Sequence, residues 1–240
     1  MYEYIKTDYL VNYDLGCYNC GMARTLAKSQ EPKQAAEPRG ARRKRETRAR
    51  LLGAALALMA EKGVEGVAIN EITEAADVGF GSFYNHFESK EAIYAAVVES
   101  LFADFGEWID GLVAGVSDIA EAVSIAVRHT VMRAQREPLW GRFLIREGLS
   151  MRALERGLGE RLMRDVRTGI ASGRFSDADP FMSFIAVGGT VLLSISAALS
   201  DLDPKFNTKG LPERAARSAL HTLGLAEAEA ERISKRPLPR

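Results

Sequence analysis

The side chains that most often carry covalent chemistry or hold metals are scarce in this sequence. Its 240 residues include two cysteines, Cys17 and Cys20, and three histidines, His86, His129 and His221. Both thiols lie near the start, so no disulfide framework staples the rest, and a reducing, cytoplasmic setting is expected. Cys17-Tyr18-Asn19-Cys20 is a CxxC without a second Cys or His pair at suitable spacing, which leaves a four-ligand zinc site incomplete. His129 and His221 have no neighbours at metal spacing. There is no Gly-x-Ser-x-Gly turn, and no phosphate-cradling glycine loop follows a strand. These absences argue against an enzyme, a metal centre or a bound cofactor.

Net charge is missing too, since 32 Lys+Arg balance 32 Asp+Glu. A uniformly basic coat for nucleic acid is thereby excluded. The balance is an average over unlike segments, however. Residues 22–50 hold ten basic residues against three acidic ones, and residues 51–100 hold two against eight. The densest stretch, Arg42-Arg43-Lys44-Arg45-Glu46-Thr47-Arg48-Ala49-Arg50, puts six positive charges in nine residues. Such a run is either a solvated helix end or an arm that contacts phosphates. Counterion release needs local cations, not a basic whole protein.

The first 41 residues read as a flexible extension. Residues 1–21 hold five of the seven tyrosines and both cysteines, with no apolar run after a basic start, so they give no sign of a signal peptide. Met22 opens a different text that passes into a Pro/Gln/Ala/Glu linker, which marks 1–21 as a start-site extension.

From Thr47 the spacing becomes helical. Leu51, Leu52, Ala55, Leu58 and Met59 form one apolar face, closed by Glu61-Lys62-Gly63. A second, short helix spans Ile69 to Ala76. Asp77-Val78-Gly79 is a tight connection, and a third helix covers Phe80 to Phe87. Two short helices around a turn, braced by a preceding helix, describe a helix-turn-helix whose second member enters the major groove.

The residues Thr47-Arg48-x-x-Leu51-Leu52-x-Ala54-Ala55, Glu61-Lys62-Gly63, Ile72-x-x-Ala75-Ala76-x-Val78 and Phe83-Tyr84-Asn85-His86-Phe87-x-Ser89-Lys90-Glu91-Ala92 resemble the TetR/AcrR family of transcriptional regulators. The resemblance covers about residues 45 to 98. It implies a DNA-binding domain over 42–90 and a helical ligand-binding and dimerisation domain over 91–236. Phe83 and Phe87 should hold the reading helix on its core, while Phe80, Gly81 and Ser82 face bases. Tyr84, His86 and Lys90 resemble the family's backbone and phosphate contacts, Asn85 stands between base contact and solvent, and Thr47 is placed to donate to a phosphate at the start of the first helix. Two positions depart from the family's pattern. Ala68 replaces the usual capping Ser or Thr, and Gly79-Phe80 stands where polar residues are common. The reading helix has no Lys or Arg, so Arg42, Arg43, Lys44 and Arg45, placed before the first helix, must supply the attraction.

Beyond Ser89 every pattern is helical, and the fold class is all-α. An apolar stripe runs through Ile93, Val97, Leu101, Phe105, Trp108 and Leu112. Further helices are expected after Asp118, around Leu139–Glu147, along Leu154, Leu158, Leu162, Val166 and Ile170, over 179–200 and over 212–224, with a shorter tail helix. Phe181 to Ser200 is uncharged, yet its glycines and four serines suit a helix buried on both sides better than a membrane span. Trp108, Met132, Trp140, Phe143, Phe184 and Val191 lie on inward stripes and are the candidates for a largely apolar ligand cavity, with Arg146 and Glu147 either orienting a polar group or pairing at the surface. The expectation is a homodimeric repressor that binds a palindromic double-stranded DNA operator and responds to a small-molecule effector. An activator, a ligand-independent regulator, or a helical binding protein without operator affinity are the alternatives.

Overall fold

The computed structural model describes residues 38–148, 157–176, 179–200 and 208–239. The expectations for the N-terminal extension, its CxxC and Leu154 lie outside those residues. Every element among the described residues is helical. Helix α1 spans Arg39–Lys62 and buries Leu51, Ala55, Leu58 and Met59. It stops at Gly63, whose φ of 77° suits a residue without a Cβ and whose N–H returns to the Met59 carbonyl at 2.9 Å. Helices α2 (Ile69–Ala75) and α3 (Phe80–Tyr84) follow. Between them Asp77 takes a left-handed φ of 53°, which turns the chain.

Ser89 caps α4 (Lys90–Val98), its Oγ accepting from the Ala92 N–H at 3.2 Å. The chain then continues through a π-helical turn, Glu99–Ala103, into α5 (Asp104–Val113). The Trp140 indole N–H reaches the Leu101 carbonyl inside that turn at 3.4 Å. Asp118 caps α6 (Ile119–Arg136), and Pro138 opens α7 (Pro138–Glu147) at a position where the missing N–H costs nothing. Helices α8 (Leu158–Ala171), α9 (Pro180–Leu199, capped by Asp179), α10 (Leu211–Thr222) and α11 (Glu227–Ser234) complete the chain. Helix α6 is the hub of the C-terminal part and packs on every helix from α5 to α11. One core runs from Leu51 in α1 through Phe102 and Trp140 to Ile233 in α11.

Three expectations change. First, α1 begins at Arg39, so Arg42, Arg43, Lys44 and Arg45 belong to the first helix and do not precede it. Arg, Lys and Ala are strong helix formers, and Arg42 pairs with Glu46 one turn on at 3.4 Å. Second, α3 ends at Tyr84, which leaves Asn85 and His86 in the following turn. Third, the long helix after Ser89 is not uniform, because the π turn interrupts it. Helix α9 is open along one side of the single chain. Phe181, Met182, Ile185 and Leu193 are exposed along it, although its length and composition would allow a membrane span.

Candidate nucleic-acid interface and effector cavity

Helix α3 is too short to stand alone, and Phe83 secures it. That ring is fully buried and packs on Phe87 at 5.8 Å, a burial worth about 1.5–3 kcal/mol. With Phe83 turned inward, Phe80, Gly81 and Tyr84 stand exposed on the outer side with Ser82 partly covered, and Asn85 is exposed at the helix end. The His86 Nδ1 is buried with no hydrogen-bond partner among the described residues. Burial, aided by the nearby cations of Lys44 and Arg48, holds its imidazole below the ordinary histidine value.

The cations of α1 flank this helix. Arg48 lies over the Phe87 ring at 5.2 Å, just beyond the end of α3. Arg50 Nη1 donates to the Asp77 carbonyl at 3.2 Å, in the turn just before α3. Arg42, Arg43, Lys44 and Arg45 are exposed one to two turns further out on α1. Thr47 is the ninth residue of α1 and does not start it, so its backbone N–H serves the helix and only its hydroxyl is left to meet a phosphate. Lys90 opens α4 as expected, with its ammonium 3.5 Å from the Glu65 carbonyl and 3.8 Å from the Glu65 carboxylate. Ala68 supplies no side-chain cap to α2. Glu71 compensates in part, accepting from the Ala68 N–H at 2.9 Å while pairing with Lys62 at 2.6 Å.

A cavity of about 440 Å³ lies among α5 to α9. Apolar side chains from Val123, Val127, Leu144, Leu162, Phe184 and Val191 line most of it, and Gly188 and Gly189 widen it. Of the six candidates from the sequence, Phe184 and Val191 are on this wall, whereas Trp108, Met132, Trp140 and Phe143 are not. The reason is a separate aromatic cluster. Trp140 meets Phe102 at 6.2 Å and Phe105 at 5.2 Å edge-on, Phe143 meets Phe102 at 5.7 Å, and Arg133 lies over both Phe105 and Trp140 at 4.8 Å. Those rings fill one another's space. Trp108 stacks on Phe105 at 5.5 Å and stands edge-on to His129 at 4.9 Å.

Besides Thr130 and Ser196 on its wall, the cavity has one charged corner, which no motif in the sequence announces. Asp110 on α5 accepts from Arg161 at 2.7 Å and from Arg164 at 2.8 Å, and Arg164 also reaches Asp165 at 3.0 Å. Asp110, Arg161 and Asp165 all face the cavity. A Cβ on Gly106 would lie 2.6 Å from the Arg161 guanidinium, so the bare backbone there is what lets Arg161 cross α5. Burial pushes the Asp110 carboxyl up, but hydrogen bonds from the two arginines outweigh it and hold the group below the usual range. At Asp165 burial wins, and its carboxyl is raised despite Arg164. The corner therefore offers guanidinium donors, one firmly ionised acceptor and one carboxyl drawn toward its neutral form. Arg161 and Asp165, one helical turn apart beside the Leu158–Leu162 stripe, were the signal available in the sequence.

Helix α7 joins this cavity to the helix-turn-helix. Leu144, Ile145 and Gly148 line the cavity. Between them, Arg146 Nη1 donates to the Glu61 carbonyl at 2.6 Å and the Ala60 carbonyl at 3.4 Å, at the C-terminal end of α1. Glu147 accepts from the buried Tyr94 hydroxyl of α4 at 2.7 Å. Arg146 is exposed and makes its bonds to α1 at the surface, Glu147 is half-buried, and neither lines the cavity.

Comparison with known proteins places both halves. Residues 51–97 match the family model for bacterial regulatory proteins of the tetR family, and residues 118–236 match the tetracyclin repressor-like C-terminal domain. The crystal structure of RolR in complex with resorcinol is 36% identical, with a TM-score of 0.63, covering 83% of this chain and 98% of that one. The transcriptional repressor DhaR of Mycobacterium sp. (strain GP1) is 54% identical over 44 residues, 18% of this chain and 22% of DhaR. The repressor KstR2 of Rhodococcus jostii (strain RHA1) is 32% identical over 74 residues, 30% of this chain and 36% of KstR2. The chain thus spans less than half the length of these two curated relatives. FadR of Bacillus subtilis in complex with stearoyl-CoA shares the fold at 17% identity, with a TM-score of 0.60 over 73% of this chain and 97% of that one.

Proposed function

Since this chain belongs to the TetR family of bacterial regulatory proteins, we propose that it is a homodimeric transcriptional repressor, released from a palindromic operator by a compact, largely apolar effector. Its role on this reading is regulatory, not catalytic. One observation carries the proposal: a largely apolar cavity with a charged corner shares helix α7 with hydrogen bonds to the helix that braces the reading head. An effector acts by preferring one setting of α7 and α4 over another, and only that difference in affinity shifts the separation of two reading helices.

The lining favours a small ring or short-chain compound with one or two hydroxyl groups. Its apolar body would meet Val127, Leu162, Phe184 and Val191, and its hydroxyls would donate to Asp110 and accept from Arg161. RolR was crystallised with resorcinol, a molecule of that description. Stearoyl-CoA, held by FadR, carries a long polyanionic head, for which a largely apolar cavity of about 440 Å³ whose arginines are already paired with aspartates is a poor match. Dimerisation is supported by the exposed apolar residues Phe181, Met182, Ile185 and Leu193 on α9. Ile185 and Leu193 also line the cavity, so a twin subunit on that face would cover its mouth.

The test is operator binding by the purified protein, with DNA found by selection from random sequence, followed by titration with resorcinol and related phenols. Release by a phenol from the wild type and not from Asp110→Asn supports the reading. Sequence-preferring binding that no small hydroxylated ring alters would refute the effector class. Sedimentation should give a dimer that Leu193→Glu dissociates.

A further inference from the structure

Exposed aromatic side chains on so small an element as α3 call for an explanation. Phe80 is 53% exposed and Tyr84 is 52% exposed, one helical turn apart, with ring centroids 5.6 Å apart at 72°. Tyr84 rests in turn edge-on against the buried Phe83 at 5.4 Å and 79°. The two outer rings therefore pack on one another as a continuous apolar shelf. Next to the shelf, a Cβ on Gly81 would meet nothing within 4 Å, so another surface can come close to the backbone there.

Each base presents a different chemistry in the major groove. Guanine is met by Arg or Lys, adenine by Asn or Gln, cytosine by Asp or Glu, and the C5-methyl of thymine by an apolar group. Helix α3 carries no cation, carboxylate or amide. It offers two rings and a serine, with Asn85 at its end. The surroundings match a duplex: Arg50 is anchored at the turn before α3 and Arg48 at the turn after it, so positive charge flanks the apolar shelf where two phosphate strands flank a groove floor.

We infer that Phe80, backed by Tyr84, is the specificity-determining residue of this protein and reads the C5-methyl groups of thymine in each operator half-site. The inference rests on the reading of α3 as the recognition helix. It adds the chemistry that helix selects.

Replacing thymine by deoxyuridine removes the methyl and leaves every Watson–Crick and groove hydrogen bond in place. With an operator selected by the full-length protein, each thymine is replaced in turn, symmetrically in both half-sites. At one or two positions the wild type should lose about fourfold per methyl, hence about fifteenfold for the symmetric pair. Phe80→Ala should bind more weakly and be indifferent to the same replacement. Phe80→Leu should keep part of the discrimination. Because Phe80 is exposed, both variants should melt as the wild type does. Salt-sensitive binding to a selected operator with no response to uracil would overturn the inference and leave the repressor reading standing. Failure to prefer any DNA sequence would overturn both.

Discussion

The Arg146 guanidinium stands 2.6 Å from the backbone carbonyl of Glu61, and this bond ties a helix of the cavity wall to the last turn of α1. The carbonyls at a helix C-terminus have no partner inside the helix, so a cation from another element is a natural cap for them. Leu144, Ile145 and Gly148, which surround Arg146 in sequence, all line the cavity. A ligand that shifts those three relative to α1 strains or releases this bond. In Arg146→Ala the effector should bind within about threefold of the wild type, since the guanidinium does not line its site, while its power to release operator falls about fivefold, the worth of roughly 1 kcal/mol of coupling. Effector calorimetry and operator titration on the same preparation separate the two quantities. Equal release curves for wild type and variant would remove Arg146 from the signal path.

The α1 cations make a second, electrostatic prediction. Arg42→Gln, Arg43→Gln, Lys44→Gln and Arg45→Gln in combination keep good helix formers in place, so helicity should persist. The slope of log affinity against log salt should become shallower by about 0.9 for each phosphate that is no longer neutralised, on every DNA sequence alike. Preference among operator bases should not change. If the slope stays as it was, the cations that neutralise phosphate lie elsewhere.

Much of this arrangement was legible in the sequence, and the gaps have physical reasons. Leu51, Ala55, Leu58 and Met59 announced α1 because burial imposes a period on apolar residues, and all four are buried. Arg39 to Arg45 gave no such sign, because an exposed helical turn has no core face to pattern. Trp140 and Phe143 point inward as their spacing predicts, but an inward stripe does not distinguish core from cavity wall, and both rings close on Phe102. Asp110 and Arg161 sit 51 residues apart, and charged residues on separate helices look like solvated surface until the fold brings them together.

Two histidines predict how stability varies with acidity. Burial, then nearby arginines, lowers the proton affinity of His129, and burial with Lys44 and Arg48 does the same at His86. His129 Nε2 and His86 Nδ1 are both buried without a hydrogen-bond partner among the described residues. The unfolded chain thus binds more protons than the folded one just below the ordinary histidine value of about 6.5, and stability must fall as pH drops through that value. Above it, neither group contributes a slope. Urea denaturation of His129→Gln from about pH 7.5 to about pH 5.5 should show a shallower acid-side loss than the wild type. A wild-type curve that is flat across this range would contradict the argument.

Gly188 offers a way to fill the cavity without breaking the fold. It sits within α9, where glycine costs about 1 kcal/mol relative to alanine. A Cβ added there would find Leu162 Cδ2 at 3.8 Å, an ordinary contact, and nothing closer. Since Gly188 and Leu162 both line the cavity, the new methyl takes up ligand space and displaces no core atom. Gly188→Ala should therefore raise the unfolding free energy by up to about 1 kcal/mol while weakening the effector. Gly188→Leu should go further and abolish effector response while operator affinity holds, because α9 packs on α6, α7, α8 and α10 and not on the reading head. Melting temperature, effector affinity and operator affinity, measured together, decide the matter. A Gly188→Leu protein that still answers the effector with wild-type sensitivity would show that the ligand occupies some other space.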